Sequence, residues 1–269
     1  MTTAGAQHPE ARTLLDQVMA NPLIGLSPWI LYSLVEGENR LELSAALALG
    51  LAVVILSLNW MRGGTPKILE YSDVVYFAGL AVFVAFASDS TRTWLELWGG
   101  EVANIALLVI VLGSILIRVP FTIQYAREDT PEEFWHTPEF LRVNYLISWV
   151  WALAFAIEAT SGLFGDAVLD NSDNLWTGWI LQTLPLILAA QFTIWYPNRL
   201  EALRDGRIDT APTVRDLLGT MTPWITVVGI ISLSASIAPA WVGIALIVAG
   251  IGATKAATAR PSEKPARTG

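Results

Sequence analysis

The chain has 269 residues, 54% of them hydrophobic, with a mean hydropathy of +0.50 and a formal charge of −8. It contains no cysteine, which excludes disulfides, thiolate nucleophiles and cysteine-held zinc or iron–sulfur sites. So apolar a chain predicts an all-α polytopic membrane bundle with lipids as its surroundings and no nucleic-acid partner, the acidity belonging to its outer loops.

Residues 1–21 read as a cytoplasmic tail without the basic and apolar regions of a signal peptide. A bundle over 22–256 follows, each segment weighed against the roughly 20 apolar residues that cross a bilayer. The first, 22–35, is short and interrupted by Pro28. Segments 43–61, 71–88 and 102–119 are conventional spans, with a polar Asp73 near the start of the second of these. Segments 143–164 and 175–196 are long enough to span with tilt. The stretch 221–256 is too long for one helix and carries Ala238-Pro239-Ala240, so it divides into spans 221–237 and 240–256. Residues 257–269 read as a disordered cytoplasmic tail. The total is about eight spans, or seven if the first segment lies in the interface.

The cations sort across these spans. One set of alternate connections and tails holds fourteen of the sixteen Lys and Arg residues, and the other set holds only Arg40 and Arg92. Cationic loops stay cytoplasmic, which places both termini inside. The opposite loops carry Glu36, Glu38, Glu42, Asp89, Glu96, Glu101, Asp166, Asp170 and Asp173, an acidic outer rim.

A repeat recurs on the basic side. Thr65-Pro66-Lys67, Thr137-Pro138-Glu139 and Ala211-Pro212-Thr213 each precede an outgoing span, and Pro suits a helix start. Ahead of each stands an aromatic and basic exit: Trp60-Met61-Arg62, then Phe121-Thr122-Ile123-Gln124-Tyr125-Ala126-Arg127, then Phe192-Thr193-Ile194-Trp195-Tyr196-Pro197-Asn198-Arg199. Three repeated helical hairpins are predicted. Arg62, Arg127 and Arg199, with Tyr125 and Tyr196, are candidates for an anionic-headgroup layer, or else ordinary interfacial anchors. The acidic run from Glu128 to Trp135 reads as a short helix on the inner surface.

Within the spans only Glu158 presents a full charge, an intramembrane ionisable group being a candidate site by default. Asn144, Ser148, Trp151, Phe155 and Glu158 recur at helical steps, which predicts one polar and aromatic face turned into the bundle. No catalytic residue, metal site or cofactor is predicted. His8 and His136 lie outside the spans, no Asp is placed deep in one, and the outer run Asp166, Asp170, Asn171 and Asp173 lacks the pattern of a calcium loop.

The stretch Pro131-Glu132-Glu133-Phe134-Trp135, followed by Asn144, Trp149, Trp151 and Phe155, resembles the intracellular septation protein A family. The resemblance covers about residues 116–155. It implies a multipass protein of the cytoplasmic (inner) membrane of a prokaryote, a bacterium, tied to envelope synthesis and division, with no defined enzymatic activity. The expectation is therefore a non-enzymatic envelope scaffold or lipid-interacting protein, with its oligomeric state open. The alternatives are a small-molecule or proton-coupled transporter using Glu158, and a membrane-embedded transferase acting on a lipid.

Overall fold

The computed structural model describes residues 14–37, 39–167, 175–234 and 237–258. The outer residues Asp170, Asn171 and Asp173, together with Ser236 and most of both tails, lie outside the described residues. The described regular structure is helical: α1 Leu14–Met19, α2 Pro22–Val35, α3 Leu41–Met61, α4 Ile68–Phe86, α5 Asp89–Leu116, α6 Phe121–Asp129, α7 Pro138–Ala167, α8 Leu181–Arg204, α9 Val214–Gly219, α10 Thr222–Ser234 and α11 Ala240–Thr258. A wide π-type turn, Leu175–Ile180, leads into α8. Among the described residues, seven helical stretches are long and apolar enough to cross a membrane, and α2 is a shorter apolar helix. That length and composition are compatible with a multipass membrane protein.

Several boundaries differ from the sequence reading. Helix α5 starts at Asp89, thirteen residues before the predicted 102, because its first half is too polar to register as a span. The exit Phe121 to Arg127 is no continuation of the preceding span but the separate helix α6, which buries Phe121, Thr122, Ile123 and Tyr125. The acidic stretch after it forms only a single 3-10 turn, Glu132–Phe134. Pro138 does occupy the first helical position, whereas Pro66 and Pro212 stand one residue before the caps Lys67 and Thr213.

The ends of α3, α5 and α8 close in the same way. After α3, Gly63 takes φ +75°, its N–H donates to Trp60 O, and Gly64 N–H reaches back to Asn59 O. Gly206 closes α8 with the equivalent pair of bonds, to Leu203 O and Ala202 O. After α5 the left-handed position falls on Arg118, φ +61°, with bonds to Ile115 O and Ser114 O. These closures satisfy carbonyls that the last helical turn leaves orphaned.

The helices form two compact units, one of residues up to 103 with 113–145, the other of 104–112 with residues from 146 onward. In the first, α2 packs on α3 and α4, and α3 on α4. Asn21 caps α2 by accepting from Leu23 N–H, with Pro22 at the first helical position. Pro28 would leave Ile24 O without its helical donor, and the Ser27 hydroxyl supplies one at 2.6 Å. Leu41, Val84 and Leu95 bring α3, α4 and α5 together in an apolar cluster.

The second unit rests on a glycine-mediated hairpin. Helices α10 and α11 meet through Gly229, Gly243 and Gly250, close enough that a Cβ at Gly229 would lie 2.8 Å from both Gly243 O and Ile247 N. Small residues serve this purpose in membranes, where apolar burial alone does not drive helix pairing. Gly229→Val should therefore destabilise the unit by about 1–3 kcal/mol, the usual cost of overpacking. Gly252, whose Cβ position is open, should tolerate Ala; thermal unfolding of the purified variants in detergent checks both.

Candidate functional site

The strongest concentration of buried charge lies in the first unit, where α3 turns into α4. The tight closure after Met61 swings Arg62 back over the helix end, and its Nε donates to Asn59 Oδ1 at 2.9 Å. Its Nη2 reaches both carboxylate oxygens of Glu128 on α6, at 2.7 and 2.8 Å, and Nη1 stands 3.6 Å from Asp16 on α1. Lys67, at the N-cap of α4, is only 1% exposed. Its ammonium lies 2.7 Å from Glu128 Oε1 and 3.1 Å from Glu70 Oε1, donates to Met19 O, and sits 4.8 Å above the Tyr125 ring.

Glu70 closes the arrangement from the first turn of α4. One of its oxygens accepts from Asn59 Nδ2 at 2.7 Å and from the Lys67 backbone N–H at 3.2 Å, which caps the helix end with a negative group. The next N–H, of Ile68, is taken by Gln124 of α6. Two cations thus pair with three carboxylates, Lys67 and Glu70 fully buried and Arg62, Glu128 and Asp16 partly exposed, and this pairing is what permits the burial.

One turn further along α4 stands Asp73, fully buried. Trp29 Nε1 of α2 donates to its Oδ1 at 2.6 Å, while Oδ2 has no hydrogen-bond partner. The sequence reading placed Asp73 near the start of its span; it stands in the second turn of α4, and the fold adds that it is buried against α2. Glu70, Asp73, Phe77 and Val84 share one face of α4, and that face packs inward. Trp29, Tyr76, Phe77 and Tyr32 surround the column with ring centroids 4.6–5.6 Å apart.

Tyr125 lies beneath Lys67 with its hydroxyl against Gly25, where a Cβ would collide with it. Burial pushes its pKa well up, and the Asp73, Glu70 and Glu128 carboxylates add to the shift, so the phenol stays neutral. Beside this cluster opens a cavity of about 280 Å³ lined by Asp16, Arg62, Gly63, Gly64, Thr65 and Glu128.

The other predicted residues are distributed more widely. Arg62 is engaged by Asn59, Glu128 and Asp16 and so is already neutralised within the unit. Arg127 lies over the Trp135 ring at 5.1 Å, its Nε buried without a hydrogen-bond partner. Asn144 is buried, donates to Phe140 O within α7 and accepts from Thr122 at its backbone oxygen. Further along α7, in the second unit, Ser148, Trp151 and Phe155 are buried, and Trp151 Nε1 donates to Thr193 Oγ1 at 3.0 Å. Glu158 is half-buried. Arg199 donates to Pro212 O and lies over Trp195, whereas Tyr196 stacks on Phe192 at 5.2 Å.

Sequence reasoning missed Lys67, Glu70, Asp73 and Glu128 as site residues. Their signal was the spacing Lys67, Glu70 and Asp73, three ionisable groups at steps of three entering an apolar helix. No family model, curated protein or solved structure matches the chain.

Removing one member of a buried ion cluster leaves its partner uncompensated, at a cost of about 3–5 kcal/mol. Lys67→Met should show a loss of that size in denaturant unfolding of the purified protein. Adding Glu70→Gln should recover part of it, because the glutamine oxygen still accepts the backbone and Asn59 bonds.

Proposed function

We propose that this chain is a proton-linked membrane transport protein, and that its first unit takes up and releases the proton at Asp73. The observation that carries the reading is that carboxyl itself: fully buried on an apolar helix, fixed through one oxygen by Trp29, with the other oxygen unpartnered. An ionisable group in such a place is expensive to keep, and proton relays are among its established uses. Support comes from the unit around it. The same unit holds the Lys67–Glu70–Glu128 cluster with the cavity at Arg62 beside it, and the buried Tyr125 hydroxyl, which has no hydrogen-bond partner.

In this reading the basic end, where the sorted cations lie, faces the cytoplasm, and the membrane is the inner membrane of a prokaryote, as the septation protein A resemblance implies. The reading takes up the proton-coupled alternative raised by the sequence and moves its central carboxyl from Glu158 to Asp73. It assigns no enzymatic step to the chain.

Purified protein in liposomes containing a pH-sensitive dye tests it under an imposed potential. Wild type should acidify or alkalinise the lumen faster than empty vesicles, and Asp73→Asn should lower that rate at least about tenfold while its melting in detergent is retained. Equal rates for wild type and Asp73→Asn, or no wild-type flux, overturn the proposal. The envelope scaffold implied by the septation protein A resemblance then becomes the better reading.

A further inference from the structure

Of the three arginines that the sequence offers as a headgroup layer, two are unsuited to it in the fold. Arg62 is spent on Glu128 and Asp16, and Arg127 stands in the acidic stretch from Glu128 to Glu133. Arg199 differs. It leaves the last turns of α8 and donates through Nη1 to Pro212 O at 2.5 Å, with its guanidinium 5.7 Å above the Trp195 ring. No carboxylate among the described residues pairs with it, so Nε and Nη2 keep their N–H groups for another acceptor. Trp195 anchors the same place: its Nε1 donates at 2.9 Å to the carbonyl of Thr213, the residue that caps α9. Cation and indole together thus fix where α9 begins.

Two further cations belong to this end of the second unit. Arg215 is exposed on the first turn of α9. At its other end α9 packs on α11, where a Cβ on Gly219 would lie 3.4 Å from the Ala257 Cβ. Lys255 stands two residues before that contact, exposed and, like Arg215, in no ion pair among the described residues. The nearby acids are largely occupied. Asp216 turns back to accept from the Thr213 N–H and hydroxyl, and Asp205 and Glu201 meet Arg207, which leaves Asp209 against three cations. The apolar residues of α9 divide in two. Leu217 is buried, whereas Val214 and Leu218, one turn apart, are 57% and 56% exposed.

We propose that Arg199, Arg215 and Lys255 bind the phosphate group of an anionic phospholipid whose acyl chains lie along Val214 and Leu218. The occupant is a lipid rather than free phosphate because exposed apolar side chains flank the cations, the combination by which short surface helices settle in a membrane interface. Arg199 supplies a preorganised fork for the phosphate oxygens, held in place by Pro212 O and Trp195. The other two cations add charge. The site belongs to the second unit alone and is independent of the transport reading.

Native mass spectrometry of the full chain in detergent, with phosphatidylglycerol added, counts bound lipid directly. Wild type should retain phosphatidylglycerol in preference to phosphatidylcholine. Arg215→Gln and Lys255→Gln should each lower that retention about fivefold, the weight of one cation facing anionic lipid. Arg199→Gln should lower it further, and Arg199→Lys should recover only part, because a single ammonium cannot hold Pro212 O and still offer a fork. Arg118→Gln, which removes an exposed cation of the same basic side from the first unit, should leave retention unchanged. Equal retention of the two lipids, no loss in Arg215→Gln and Lys255→Gln, or an equal loss in Arg118→Gln overturns the site. So does displacement of the lipid by inorganic phosphate. Arg215 and Lys255 are exposed, so their variants carry the test even if Arg199→Gln fails to fold.

Discussion

The first unit is organised around a buried ammonium. Lys67 stands at the start of an apolar helix with almost no access to water, so its charge must be met by protein groups or the helix cannot dock. Those groups come from elements distant in the chain: Glu70 from the same helix, Glu128 and the Tyr125 ring from α6, and Met19 O from the end of α1. Arg62 then shares Glu128, and Asn59 binds both Arg62 and Glu70. Each link neutralises a neighbour, so α1, α3, α4 and α6 are held in one register by electrostatics rather than by apolar contact alone.

That arrangement has consequences for the helix beside it. Once α6 lies against the N-terminus of α4, Tyr125 projects onto α2, and only a glycine at position 25 leaves room for its hydroxyl. The same closeness recurs at the far end of α2, where Gly99 and Gly100 accept Tyr32 and Glu36. Between these contacts, Trp29 presents its indole N–H to Asp73. A short helix thus carries polar anchors at both ends and in its middle. The second unit is built differently, with backbone contact at Gly229, Gly243 and Gly250 between apolar helices and hydroxyl contacts such as Thr222 with Thr254.

Much of this was visible along the chain. The apolar segments correspond to helices, and Ala238-Pro239-Ala240 does separate two of them, α10 and α11, because proline ends a helix and a mostly apolar stretch of 36 residues exceeds one bilayer crossing. The repeated Pro-containing starts also pointed to helix N-termini, although Pro66 and Pro212 proved to precede the caps. Helix α6 was less legible. Its mixed residues lack the length of a span, and its buried face is defined only by what it packs against. Arg62 shows the same limit: in sequence it is an anchor at a membrane exit, whereas in the fold its donors are directed into the unit.

Composition and the order of apolar and charged residues were enough to determine the helical class, the approximate spans and the sorting of cations, since each depends on one-dimensional quantities such as segment length and loop charge. Which face of α4 is interior, and hence that Lys67, Glu70 and Asp73 are buried rather than lipid-edge or loop residues, was decided only by tertiary structure. The physical reason is that a buried charge is tolerated solely where its partners converge, and here those partners come from as far apart as Met19, Trp29 and Glu128.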